Sequence, residues 1–211
     1  MKPLLIYCFD AYAEWCYGFI PVIKKLETRF STRFDFEVLS GGLIRAAKPT
    51  PIAAISDYMM RAYPQVEALS GMKFGEDFLW HIKNSKESDW FPDSLKPAMA
   101  MCIFKEYLFE KQIDFANDLS FALFSEGRDL CDDEAYRHLL EKYDLPAEKF
   151  YSRLHSDEVK QVANEDFHTI SQLGISGYPS LLLQLQPEKI IHLAASYISY
   201  PDIQEKILEL I

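Results

Sequence analysis

An apolar segment at the start of the chain, Leu4 to Phe9, does most to limit the possible folds. Its apolar side chains fall on both faces of an extended strand, so other elements must cover both faces. A strand of this kind lies in the middle of an α/β sheet, with helices packed on either side. The sequence therefore predicts a mixed α/β fold built around this strand.

The residues after this strand predict a helix and then a second strand. An apolar stripe at helical spacing, opposite a charged face, consists of Phe19, Val22, Ile23, Leu26 and Phe30. Alternating apolar residues then predict a strand at Phe34, Phe36 and Val38. The chain therefore opens with a β-α-β unit.

The end of the chain predicts two strands and a final helix. Apolar runs at 181–185 and 190–193 flank a short turn, and Pro201 opens the helix. From about residue 52 to residue 174 the pattern is helical and is interrupted only by prolines and glycines. We therefore expect one domain formed by residues 1–50 and 175–211, and a helical insertion domain over residues 51–174.

Composition excludes several classes of partner. With a formal net charge of -10 and basic residues interspersed among acids, the chain is not expected to bind nucleic acid or an anionic membrane. The apolar run at the start is too short for a signal peptide or a membrane span, so we expect a cytoplasmic protein. The four cysteines and five histidines lack metal-ligand spacing, which predicts reduced thiols and no metal site. The oligomeric state is not predicted.

The tetrapeptide Ala13-Glu14-Trp15-Cys16 follows the first strand and begins the first helix. At this place a redox protein carries Cys-x-x-Cys, in which the first thiolate attacks a disulfide and the second releases the substrate. This chain has the second sulfur and a methyl group in place of the first. Any thiol chemistry at this turn must therefore use Cys16 alone.

The surrounding residues resemble the DsbA family of thioredoxin-fold proteins, specifically its cytoplasmic branch with the active site Asp-Pro-x-Cys-x-Trp-Cys-Tyr-Gly-Phe. The corresponding stretch runs from Asp10 to Phe19, with Trp-Cys-Tyr-Gly-Phe intact and the proline and first cysteine replaced. Two further matches are Glu-Gly-Arg-Asp-Leu at 126–130 and Gly-Ile-Ser-Gly-Tyr-Pro-Ser at 174–180. The resemblance implies a thioredoxin fold with a large helical insertion and a thiol-disulfide oxidoreductase of the protein-disulfide isomerase type.

The resemblance also implies which residues form the site. It assigns the catalytic role to Cys16 and predicts a cis peptide bond before Pro179, which would place the backbone of Tyr178 where an extended substrate can pair with it. The remaining expected substrate contacts are Ala13, Glu14, Trp15 and Tyr17. The expected substrates are thiols or disulfides, either peptides or glutathione, and no cofactor is expected.

Several alternatives remain open at this point. Cys16 is either a buried packing residue or a monothiol that forms mixed disulfides with a small thiol, and weak or altered redox activity is expected in both cases. Glu14 is either a helix-capping residue or a group that disfavours the thiolate. The whole protein is alternatively a non-catalytic thioredoxin-like binding protein, or an enzyme similar to kappa-class glutathione transferases and hydroxychromene carboxylate isomerases. Relatives of that last kind carry serine at the position of Ala13, and Tyr12 or Tyr17 would have to replace its hydroxyl.

Overall fold

One mixed sheet forms the centre of the molecule, in a computed structural model that describes residues 2–45 and 47–211. Its strands lie in the order β2-β1-β3-β4, with β1 parallel to β2 and antiparallel to β3. Their bounds are β1 Leu4–Phe9, β2 Asp35–Ser40, β3 Ser180–Gln186 and β4 Lys189–Ala194. The predicted first strand is confirmed as a central one, with side chains buried on both faces.

Helices cover both faces of this sheet. Helix α1 (Glu14–Phe30) joins β1 to β2, and α9 (Tyr200–Leu208) follows β4. Between β2 and β3 lie α2 Ala53–Ser70, α3 Glu76–Lys83, α4 Leu95–Leu108, α5 Gln112–Phe124, α6 Arg137–Lys142, α7 Ala147–Leu154 and α8 Asp157–Gln172. This is a thioredoxin fold with a helical insertion, as the sequence predicts. Among the residues described, no helix is long and apolar enough to cross a membrane.

Helix α1 carries the start of the candidate site and is held by packing on its apolar side. Its predicted stripe, from Phe19 to Phe30, is buried against the sheet and the insertion. The helix begins after Ala13, whose side chain makes no capping hydrogen bond. Tertiary contacts rather than a side-chain cap therefore set where α1 begins.

The helical insertion contacts both α1 and the sheet. The Gln112 side chain at the start of α5 accepts a hydrogen bond from Val38 N–H at 2.7 Å and donates one to the Phe36 carbonyl at 3.0 Å. Both partners lie on β2, which is an edge strand of the sheet. The side-chain amide thus pairs with backbone groups at an edge where no neighbouring strand is present.

Helices α1 and α2 approach each other closely at Gly18. A Cβ atom at this position would lie only 2.7 Å from Cγ1 of Val66, which is fully buried in α2. Such a separation is shorter than a van der Waals contact, so any side chain here pushes the helices apart. Glycine therefore sets the distance between the start of α1 and the insertion.

We expect Gly18→Ala to lower the free energy of unfolding by about 1–3 kcal/mol, because the new methyl group overpacks a rigid interface. Urea denaturation measures the change. The variant Val66→Ala removes the facing methyl groups, so the double variant Gly18→Ala/Val66→Ala should lose less stability than the sum of the two single variants. Strict additivity of the two losses would contradict this helix contact.

Candidate active site

The turn between β1 and α1 is organised by the carboxylate of Asp10, which is 1% exposed. One oxygen accepts hydrogen bonds from Tyr12 N–H at 2.9 Å and from the Ser94 hydroxyl at 3.0 Å, and the other accepts one from Leu43 N–H at 2.8 Å. Burial raises the pKa of Asp10 to about 6, and these three donors oppose that shift. The carboxylate therefore joins the turn, the loop after β2 and the start of α4.

Asp10 is a structural residue of the site that the sequence analysis did not single out. Its backbone carbonyl also accepts a hydrogen bond from Ala13 N–H at 3.1 Å, and the Ala13 carbonyl in turn accepts one from Cys16 N–H at 2.9 Å. The sequence feature that indicates this role is a carboxylate directly after a buried strand, where an unpaired charge would lower stability. Such a position calls for several donors from elsewhere in the chain.

Ala13 and Glu14 are both covered, with 3% of each residue exposed. The Glu14 carboxylate accepts a hydrogen bond of 2.5 Å from the hydroxyl of Tyr58 on α2, and Tyr58 itself is 50% exposed. Burial raises the pKa of Glu14, while the Tyr58 hydroxyl acts in the opposite direction. Helix α2 thus closes over the first residues of α1 through this contact.

Cys16 lies in the first turn of α1 and is completely buried. Burial is the largest cause raising the pKa of its thiol, and the charges of Asp10 and Glu14 add to the effect. The backbone N–H of Asp10 and the hydroxyl of Tyr7 act in the opposite direction, as does the helix N-terminus in general. Because the effects that raise the pKa are larger than those that lower it, this sulfur stays protonated at neutral pH.

The turn before β3 lies at the same end of the sheet as the start of α1, because Ser180, the residue after Pro179, pairs with Cys8 of β1. The Tyr178–Pro179 peptide bond is cis, the isomer that the resemblance implies. The Tyr178 ring lies directly on Gly41, where a Cβ atom would come within 2.3–2.6 Å of the ring and its hydroxyl oxygen. Burial raises the pKa of Tyr178 to about 12, with contributions from nearby Asp10 and Cys16. The structure therefore brings the Tyr178–Pro179 turn and the start of α1 together.

The aromatic residues beside Cys16 separate into two groups. Trp15 is partly buried and packs against Tyr197, with ring centroids 5.7 Å apart, at the rim of the site.

Tyr17 is buried among aromatic rings of the insertion, and its hydroxyl donates to the Lys73 carbonyl at 2.6 Å. The Tyr12 hydroxyl lies 3.4 Å from the sulfur of Cys131. The hydroxyls of Tyr12 and Tyr17 thus both make their contacts with the insertion.

The other thiols do not complete a redox pair. All four cysteines are free. Cys8, which flanks the same turn, packs with Ile6 and Leu182 in a cluster separate from the main core, whereas Cys16 belongs to the main core on the face of Tyr7. Within residues 2–45 and 47–211, no group of three or more His, Cys, Asp or Glu side chains has the arrangement needed to hold a metal ion.

The raised pKa of Cys16 predicts a pH dependence of stability. The pKa of this thiol is 9.0 in the unfolded chain and higher in the folded protein. The stability that the buried, protonated thiol contributes is therefore fully present below pH 9 and is lost as the pH rises above 9. Between pH 8 and 10, we expect wild-type protein to lose roughly 1 kcal/mol more unfolding free energy than Cys16→Ala, by urea denaturation at each pH. Tyrosine titration is common to both proteins and cancels. Equal pH slopes would contradict the burial of this thiol, and Cys131→Ala, at a partly exposed thiol, should show a smaller difference.

The chain is similar to known proteins in both sequence and structure. The chain is 24% identical over 184 residues to the ClpXP adapter protein SpxH of Bacillus subtilis (strain 168), covering 85% of this chain and 58% of that protein, so it spans a little over half of that relative. A putative protein disulfide isomerase from Nitrosomonas europaea has a similar structure, with a TM-score of 0.86, 20% identity, and 99% and 97% of the two chains covered.

A second structure with the same fold is the cytosolic disulfide reductase DsbM from Pseudomonas aeruginosa with GSH. Its TM-score is 0.75 at 19% identity, with 98% of each chain covered. At these identities the two structures show the fold alone. The sequence also matches the family model of the DSBA-like thioredoxin domain over residues 5–193. The chain therefore belongs to the DSBA-like thioredoxin domain family.

Proposed function

We propose that this protein is a DsbA-like thiol-disulfide oxidoreductase whose exchange activity is weak in the native chain. The observation that supports the proposal is the position of the cis Tyr178–Pro179 turn: it is followed by Ser180, which pairs with Cys8 of β1, and the helix that bears Cys16 follows β1 at the same end of the sheet. An extended substrate that pairs with the backbone of Tyr178 would then lie at the same end of the sheet as the Cys16 sulfur.

The proposed activity is weak for two physical reasons. Position 13 carries a methyl group and cannot attack a disulfide, and Cys16 is fully buried with a thiol that stays protonated. Exchange rates depend on the thiolate fraction and on access to the sulfur, and both are low here. Cys16 therefore reacts only when the cover over the start of α1 opens.

The proposed substrates are small thiols and disulfides, either glutathione or a peptide. The resemblance to a structure determined with GSH supports this substrate class. The proposed contacts are the ring of Trp15 and the Tyr178–Pro179 turn, and also the backbone at Ala13 and Glu14 once the cover over the start of α1 opens. Tyr17 is left out because its side chain is buried and its hydroxyl is bonded within the insertion. The free state of all four cysteines supports a reducing compartment such as the cytoplasm.

Restoring the first cysteine tests the proposal. We expect Ala13→Cys to reduce insulin disulfides with dithiothreitol at least tenfold faster than the wild type, because the rest of the site is retained. The wild type should exceed Cys16→Ser by only a few-fold. Ala11→Cys is the matched control, since it adds a thiol to the same turn outside the Cys-x-x-Cys spacing. Equal rates for the wild type and Cys16→Ser would refute the role of Cys16.

A non-catalytic binding protein is the second candidate, and the burial of the site supports it. Ala13 and Cys16 are covered, whereas Trp15 and Tyr178 remain partly accessible at the rim. The similarity to a protein named as an adapter is consistent with a binding role. In this case the surface formed by Trp15 and the Tyr178–Pro179 turn binds a peptide or small thiol without covalent chemistry. The kappa-class transferase or isomerase alternative lacks comparable support, because the Tyr12 and Tyr17 hydroxyls both face the insertion.

Calorimetry with glutathione and S-methylglutathione separates binding from chemistry. A binding protein should bind both compounds with similar affinity, and Cys16→Ser should not change either affinity. An oxidoreductase that forms mixed disulfides should instead give a glutathione adduct with glutathione disulfide, detected by mass spectrometry in the wild type and absent in Cys16→Ser. Formation of that adduct would exclude the purely non-catalytic function.

A further inference from the structure

The hydroxyl of Tyr7 is a buried polar group without a partner. Tyr7 lies in the middle of β1, is 0% exposed, and its ring packs between Phe9 and Phe19 at centroid distances of 5.8 and 5.9 Å. Within the described part of the chain, its oxygen makes no hydrogen bond. An unpaired buried hydroxyl lowers stability, and most buried hydroxyls have a partner. This one therefore calls for a physical explanation.

The sulfur of Cys16 lies in the same buried cluster as Tyr7. The Tyr7 ring packs against Phe19, which follows Cys16 by about one turn on α1. Each of the two groups affects the pKa of the other, and the hydroxyl has no hydrogen-bond partner in the resting protein. The carboxylates of Asp10 and Glu14 are the opposing charges nearby.

The strength of this contact depends on the charge of the sulfur. A protonated thiol is a weak acceptor, whereas an anionic sulfur accepts a strong, charge-assisted hydrogen bond. Tyr7 keeps its own proton, because burial and the neighbouring Cys16 both raise the pKa of its hydroxyl. A phenol that stays protonated beside a sulfur is a donor and not a base.

We propose that the Tyr7 hydroxyl is the hydrogen-bond donor that stabilises the anionic sulfur of Cys16 whenever a disulfide to this sulfur is broken. The inference rests on the proposed function, because it concerns the same sulfur. It assigns a role to a strand residue that lies outside the Cys-x-x-Cys turn.

The step is a simple thiol-disulfide exchange. A small thiolate attacks the outer sulfur of a disulfide that involves Cys16 and forms a new S–S bond there. The old S–S bond breaks, and its electron pair passes to the Cys16 sulfur, which is thereby reduced. The Tyr7 hydroxyl donates a hydrogen bond to the developing anion, and the sulfur then takes a proton from solvent. In the forward direction the Cys16 thiolate attacks a small disulfide and releases a small thiolate.

The test compares Ala13→Cys with Ala13→Cys/Tyr7→Phe. Each protein is oxidised so that the introduced thiol and Cys16 form a disulfide, and the rate constant for its reduction by dithiothreitol is measured between pH 6 and 9. We expect Tyr7→Phe to slow reduction about tenfold, because attack at position 13 expels the Cys16 thiolate without its donor. Urea denaturation of the reduced proteins should show unchanged or higher stability, since the lost hydroxyl has no partner.

Tyr136→Phe in the same background is the matched control. Tyr136 is also fully buried, but its hydroxyl donates to the Leu130 carbonyl at 2.7 Å, so this variant should lose stability and keep its reduction rate. An unchanged rate in Tyr7→Phe would overturn the inference. A stability loss in Tyr7→Phe equal to that in Tyr136→Phe would also overturn it, because the hydroxyl would then have an ordinary structural partner.

The two proposals can fail separately. If wild-type protein forms no mixed disulfide at Cys16 but the tenfold difference is observed, the proposed function fails and the role of Tyr7 stands. If the wild type exchanges disulfides and the Tyr7→Phe rate is unchanged, the proposed function stands and the role of Tyr7 fails. Failure of the introduced thiol to pair with Cys16 would also overturn the role of Tyr7, because no disulfide to this sulfur could then be broken.

Discussion

The buried carboxylate of Asp10 is the group on which the arrangement of the candidate site depends. A carboxylate without access to water is tolerated only when its oxygens accept hydrogen bonds, so the group and its donors fix one another in place. Here the donors are Tyr12, Leu43 and Ser94, which lie in three separate segments. Because these segments belong to both the sheet region and the helical insertion, one side chain fixes the start of α1 relative to the insertion.

Two opposing effects meet at Cys16, and burial is the stronger. The start of a helix favours an anionic sulfur, and in an exposed Cys-x-x-Cys turn this effect produces a reactive thiolate. In this protein Ala13 and Glu14 are covered, and the contact between Glu14 and Tyr58 of α2 closes the helix start from solvent. The protein thus keeps the geometry of a redox site while its sulfur remains protonated and covered.

Local sequence patterns were sufficient for the fold but not for the contacts of the site. The central strand β1 and the amphipathic helix α1 follow from apolar spacing that is visible within a few residues. The partners of Asp10 lie 33 and 84 residues away, at Leu43 and Ser94, and no local pattern indicates them. The sequence predicts Tyr17 as a substrate contact because it adjoins Cys16, but consecutive helical residues point about 100° apart. Its ring therefore enters the insertion.

The Gln112 side chain has a consequence for how the protein behaves at high concentration. By hydrogen bonding to the backbone of β2, it occupies groups that could otherwise recruit a strand from another molecule. The opposite edge strand, β4, has one such contact, from Lys206 Nζ to the Leu193 carbonyl at 3.1 Å, and exposed Lys189 and His192 lie along it. Side chains therefore occupy backbone groups on both edges, and on β4 an exposed lysine further discourages intermolecular strand addition.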